Sequence, residues 1–203
     1  MRSPFSLSTI SIPTLSAGGA LLLAGCLDLS GKADLDGEWA VDYSGVWEVF
    51  VDGERVARVV PGQDRTFSIG EDGVVDVQRL CAETGVMCPD EVYWRLVDVQ
   101  QPGPGLLRFE NLDAEVGELG AQIGGWLEAD GGFTLLAGVD PEGPCGGPAA
   151  GTVHGRFAGD HIEAGEVRSE WGEGCEVGGV TLSGRLRLVA PFTAARLGLD
   201  TAI

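Results

Sequence analysis

Basic charge is scarce in this chain. Lys and Arg number 13 among 203 residues against 31 Asp and Glu, a formal net charge of −18. A surface of that sign repels phosphate backbones and anionic headgroups, which excludes nucleic acid as a partner. Lysine is almost missing: Lys32 is the single one, and the other 12 basic residues are Arg. Histidine is limited to His154 and His161, flanking Gly159-Asp160, so imidazole bases are few. Gly-x-Ser-x-Gly, His-Glu-x-x-His, the phosphate-cradling Gly-x-x-x-x-Gly-Lys and the dinucleotide fingerprint are all absent. The common enzyme templates are therefore missing, and neither cofactor nor metal is indicated. Asp34-Leu35-Asp36-Gly37 has the start of a calcium loop without its later ligands. Carboxylates such as Asp42, Glu163, Glu166 and Glu170 are plentiful enough for a hydrolase using paired acids, but spacing alone does not bring two together. What is abundant is turn formers: 33 Gly and 10 Pro, 43 of 203 residues, below the level of low-complexity disorder and without a triplet period.

The first residues read as an export signal. Arg2 is the only charge before Lys32 apart from Asp28, and an apolar stretch closes on Ala20-Leu21-Leu22-Leu23. Ser6, Ser8, Thr9, Ser11, Pro13, Thr14 and Ser16 interrupt it too often for a permanent span. Leu23-Ala24-Gly25-Cys26 follows and resembles the lipobox of bacterial lipoproteins. That resemblance implies diacylglycerol on Cys26, cleavage just before it, and a lipid-anchored envelope protein with the membrane as its first partner. With Leu27 and not Asp next, it further implies the outer membrane. Two or three acyl chains suffice for stable anchoring. The expected organisation is a signal peptide at 1–25, a lipidated tether at 26–34, one domain at 35–190 and a tail at 191–203.

Four further cysteines, an even number in a disulfide-permitting compartment, fit export. Proximity along the chain pairs Cys81 with Cys88 and Cys145 with Cys175, and neither spacing suits zinc. In the chain-entropy picture these loops stabilise by roughly 2.5 and 3.5 kcal/mol.

From residue 35 onward apolar residues mostly alternate, and turn residues return every eight to twelve positions, the pattern of an antiparallel all-β protein. Strands are expected at 39–43, 46–51, 54–60, 65–69, 74–77, 91–99, 106–110, 120–129, 133–139, 151–158, 161–171 and 180–188. Asp52-Gly53 is a strong hairpin signal. The segment between Cys81 and Cys88 reads as a small loop, and Pro191 is expected to end the last strand. Asp-Gly turns at 52, 72 and 130 have no fixed period, which excludes a solenoid or propeller. In an up-and-down meander Cys145 and Cys175 fall at the same end of the sheet, within closing distance. The expected fold is therefore all-β, a single antiparallel meander barrel of about 8–10 strands, closed or partly open, with a β-sandwich as the alternative.

Gly37-Glu38-Trp39 on the first strand, with Arg185 or Arg187 on the last, resembles the lipocalin-type barrel. The resemblance implies a late arginine covering the tryptophan at the closed end of the barrel. Of the five tryptophans, Trp39 and Trp94 alternate with core residues. Trp126 falls on the face of Gln122 and Glu128. Aromatic faces with a few polar groups line many ligand cavities, so the candidate ligand residues are Trp39, Trp94, Trp126 and Arg185. Anchor, barrel and missing motifs together point to a non-catalytic binding module for a small apolar or amphipathic ligand. The alternatives are a structural or assembly lipoprotein with a filled core that meets another envelope protein, and a carboxylate-dependent hydrolase.

Overall fold

A computed structural model describes residues 34–60, 65–69, 73–86, 88–89, 93–113, 122–140, 149–177 and 179–198, with the side chains of Asp140 and Val177 left aside. The export signal, Cys26 and Cys145 lie outside the described residues.

Among the described residues fourteen strands and one helix are formed, in the order β1 (Gly37–Tyr43), β2 (Trp47–Val51), β3 (Glu54–Val59), β4 (Thr66–Ile69), β5 (Gly73–Asp76), α1 (Val77–Thr84), β6 (Leu96–Gln100), β7 (Leu106–Asn111), β8 (Gln122–Leu127), β9 (Gly132–Asp140), β10 (Ala149–Ala158), β11 (His161–Trp171), β12 (Glu176–Val177), β13 (Val180–Thr181) and β14 (Leu186–Arg196). The main sheet runs β1-β6-β7-β8-β9-β10-β11-β14 and closes by pairing β14 back onto β1, an eight-stranded antiparallel meander barrel. Two insertions interrupt the meander, β2 to α1 after the first strand and β12–β13 before the last.

Alternation places one face of every strand inside. Val97 and Val99, Leu107 and Phe109, Phe133 and Leu135, Val153 and Phe157, and Leu186 and Leu188 are all buried. Burying each such side chain contributes about 1.5–3 kcal/mol. Asp52 and Gly53 take φ of 49° and 86°, the positive values a tight two-residue hairpin needs, and join β2 to β3 as expected.

Two expectations are corrected. The segment read as a loop from Cys81 is helical as far as Thr84, in a helix that starts at Val77: Asp76 accepts from the Arg79 amide at 2.8 Å as the N-cap, and Val77, Leu80, Cys81 and Thr84 form the buried stripe. The left-handed Gly85 then ends the helix. The Cys81–Cys88 disulfide closes this unit, with Cα atoms 5.6 Å apart.

Nor does Pro191 end the last strand. β14 continues through it to Arg196, so residues 191–196 belong to the barrel and are not a tail. In an antiparallel ladder the N–H and C=O of one residue point to the same neighbour. The Pro191 carbonyl accepts from the Ser44 amide at 3.1 Å, so its missing donor faces the break between β1 and β2, where the ladder is already interrupted. Across that break Tyr43 opposes Phe192 and Glu48 opposes Val189, five steps along one chain for three along the other. Tyr43 stacks on Tyr93 at 4.1 Å and meets Phe192 at 5.5 Å, and this aromatic group packs the seam.

The two barrel ends differ. At one, Asp34–Asp36 and the turns β6–β7, β8–β9 and β10–β11 meet, joined by bonds such as Gln101 N to Asp36 Oδ1 and Arg196 N to Asp160 O. The other end carries α1, tied to β11 where the Trp171 indole donates to Thr84 Oγ1 at 2.7 Å.

Candidate functional site

The bore at the end where Asp34–Asp36 lie is filled by rings. Trp39 is fully buried, donates its indole N–H to the Leu35 carbonyl at 3.1 Å, and packs edge-on against Phe157 at 5.3 Å. Phe157 meets Phe133 at 5.0 Å, and Phe133 meets Phe109 at 5.5 Å, so the rings run as a chain across the interior. The sequence makes room for them with glycine. A Cβ on Gly155 would come within 2.7 Å of the Phe133 ring, and one on Gly165 within 2.5 Å of Phe192.

The arginine beside Trp39 is Arg196, not Arg185 or Arg187. It stands directly opposite Trp39 on β14, on the same face, and donates to the carbonyls of Asp34, at 2.7 Å, and Asp36. Arg185 and Arg187 lie at the opposite end because β14 runs through Pro191 to Arg196, eight residues past the expected end at Leu188. The Arg185 amide donates to Asp52 Oδ1 at 2.9 Å. Its side chain borders an open depression of about 390 Å³ with Asp52, Glu170, Glu173 and Arg187. The Arg187 guanidinium sits 4.7 Å from the centre of the Phe50 ring.

The four candidate ligand residues thus occupy four separate places. Trp39 plugs one end, and Trp94, 7% exposed, packs near the other, just before β6. Arg185 borders the rim depression, and Trp126, 47% exposed, stands on the outer wall. Cys175 is buried and disulfide-bonded, and its expected partner Cys145 is outside the described residues.

Trp126 has company that the sequence reading missed. Leu106 is directly opposite it on β7, and Thr134 directly opposite on β9. Leu136 is its diagonal neighbour, and Gly124 opens the wall between Arg108 and Leu136. Leu106 and Leu136 are both exposed. The signal was present as three apolar doublets, Leu106-Leu107, Trp126-Leu127 and Leu135-Leu136. Consecutive strand residues point to opposite faces, so one member of each doublet has to face outward.

Acid–base groups are dispersed. His154 lies on the outer wall between the Thr134 and Thr152 hydroxyls, at 3.1 and 2.8 Å from its two ring nitrogens. Burial, with Arg168 nearby, brings its pKa down to about 4, against the opposing pull of Glu166. Glu166 is itself paired with Arg168 at 2.5 Å. Asp42, His161 and Glu163 border an open groove of about 490 Å³ floored by Ala40, Thr193 and Ala195. Among the described residues no three His, Cys, Asp or Glu side chains are grouped to hold a metal ion.

What these features define is a closed, ring-filled antiparallel barrel whose polar and apolar irregularities are on its outside. Neither protein-family models, nor curated proteins, nor solved structures show a match to this chain.

Proposed function

We propose that this chain is a lipid-anchored lipoprotein of the bacterial cell envelope, most at home in an outer membrane. Its barrel is a filled scaffold that acts through its outer surface and carries no catalytic centre. The observation that carries this reading is the ring chain Trp39–Phe157–Phe133–Phe109 across the bore. A small apolar ligand held inside would have to displace groups whose burial is worth several kcal/mol. The Leu23-Ala24-Gly25-Cys26 resemblance supports the anchor, and the −18 charge supports a protein partner over nucleic acid or an anionic lipid surface. Arg196, opposite Trp39 and bonded to the carbonyls of the chain crossing that end, supports kinship with lipocalin-type barrels at the closed end. The binding function usual to such barrels does not follow from that, because one fold hosts many tasks.

The test is native against denaturing mass spectrometry of the exported, oxidised chain after incubation with a membrane-lipid extract. The expected result is a chain carrying only its covalent acyl groups, with Cys26→Ser lacking them. A non-covalent ligand released on unfolding would overturn the filled scaffold. Unmodified Cys26 in the exported protein would overturn the anchor.

A further inference from the structure

We propose that the wall formed by Leu106, Trp126 and Leu136 rests on the surface of the bilayer in which the chain is anchored. This deepens the lipoprotein reading and depends on it. Three adjacent strands each break the alternation of their pattern on the same face and in the same neighbourhood, and the outward residues are 51%, 47% and 39% exposed. Single exposed apolar residues are ordinary, but a contiguous group including Trp is the composition of an interfacial contact.

The position of the wall is what selects lipid as its occupant. Asp36 accepts from the Gln101 amide at 2.6 Å, so the chain begins its path into the barrel beside the turn that leads to Leu106. The Leu106 amide closes that turn on the Gly103 carbonyl at 3.1 Å. Cys26 precedes Asp34 by eight residues, which reach at most ~28 Å. An acylated Cys26 therefore holds the Asp34–Asp36 end, and the wall beside it, within that reach of the membrane.

The chemistry agrees. The Trp126 indole has no hydrogen-bond partner among the described residues, unlike Trp39, Trp47 and Trp171, whose N–H groups bond to Leu35, Tyr93 and Thr84. A ring with an apolar body and one free donor suits the headgroup boundary. Within the wall the charged side chain is a cation, Arg108, beside Gly124, while Glu110 and Glu128 stand at the margins. The acidic remainder of the surface favours a zwitterionic bilayer over an anionic one.

The experiment uses the full acylated chain in phosphatidylcholine vesicles, with ordinary or brominated acyl chains. Flotation establishes anchoring. Trp39, Trp47, Trp94 and Trp171 are no more than 7% exposed, so bromine near the interface reaches Trp126 first. The expected result is loss of up to about one-fifth of the tryptophan emission in brominated vesicles, Trp126 being one of five, and no such loss in Trp126→Phe. Flotation with equal emission in both lipids overturns the proposal and leaves the anchor standing. A chain that fails to float overturns both. Trp126 shielded from aqueous acrylamide yet insensitive to bromine assigns the wall to a protein partner or a second copy, and also overturns the proposal.

Discussion

His154 shows how much a single outward residue can depend on its wall. Its ring is bracketed by two threonine hydroxyls, which satisfy a neutral imidazole from either tautomer. Desolvation and the Arg168 and Arg187 guanidiniums oppose a second proton, and Glu166 offsets them only in part. With a folded pKa of about 4 against 6.5 in the unfolded chain, the unfolded state binds more protons between those values. Stability from this group is therefore complete above pH 6.5 and lost as pH falls toward 4. The ring is only partly buried, which discounts the effect to about 1 kcal/mol. Urea unfolding at pH 7 and pH 5 is expected to show a smaller loss for His154→Gln than for the wild type. An equal loss in both would place the slope elsewhere.

At the scale of elements, α1 is joined to the barrel by a polar contact buried in an apolar setting. Thr84 donates to the Leu80 carbonyl and accepts from the Trp171 indole, both at 2.7 Å, and Trp171 is 1% exposed. Thr84→Val keeps the shape and strands the indole N–H, which costs about 1–3 kcal/mol. Thr84→Ser keeps the hydroxyl and is expected to cost less. Urea midpoints at constant slope measure the difference, and equal midpoints would mean that the indole finds another acceptor. The helix is legible in the sequence: a capping Asp76, apolar residues at 77, 80 and 81 with Thr84 on the same stripe, and Gly85 after them. Eight residues is nevertheless too short for a helical period to dominate in a chain otherwise alternating by two. Pro191 is not a strand terminator here, for a different reason. Whether a missing N–H matters depends on which neighbour it faces, and that neighbour, the break after Tyr43, is almost 150 residues away.

For the whole molecule, charge is the largest unbalanced quantity. The ion pairs Arg55–Glu48, Arg79–Glu83 and Arg156–Asp130 lie at the surface, where water and salt screen them. They cannot offset the mutual repulsion of 31 acidic groups facing 13 basic ones. Screening should therefore help this protein more than it harms it. Raising NaCl from about 10 mM to 500 mM shortens the Debye length from ~30 Å to a few Å and is expected to raise Tm by several degrees. A Tm that falls with salt would mean that the few ion pairs outweigh the net charge.

Alternation and Asp-Gly turns were enough to determine an antiparallel all-β chain, its hairpins and the span of β11, and cysteine proximity was enough for the Cys81–Cys88 bridge, because each is governed by residues close together in sequence. Closure of β14 onto β1, the passage of that strand through Pro191, the choice of Arg196 over Arg185 and Arg187, and the gathering of Leu106, Trp126 and Leu136 on one wall were decided by the tertiary structure alone. Each depends on which strand lies beside which and in what register. A period of two shows that a residue faces in or out, but is silent on its neighbour across the ladder.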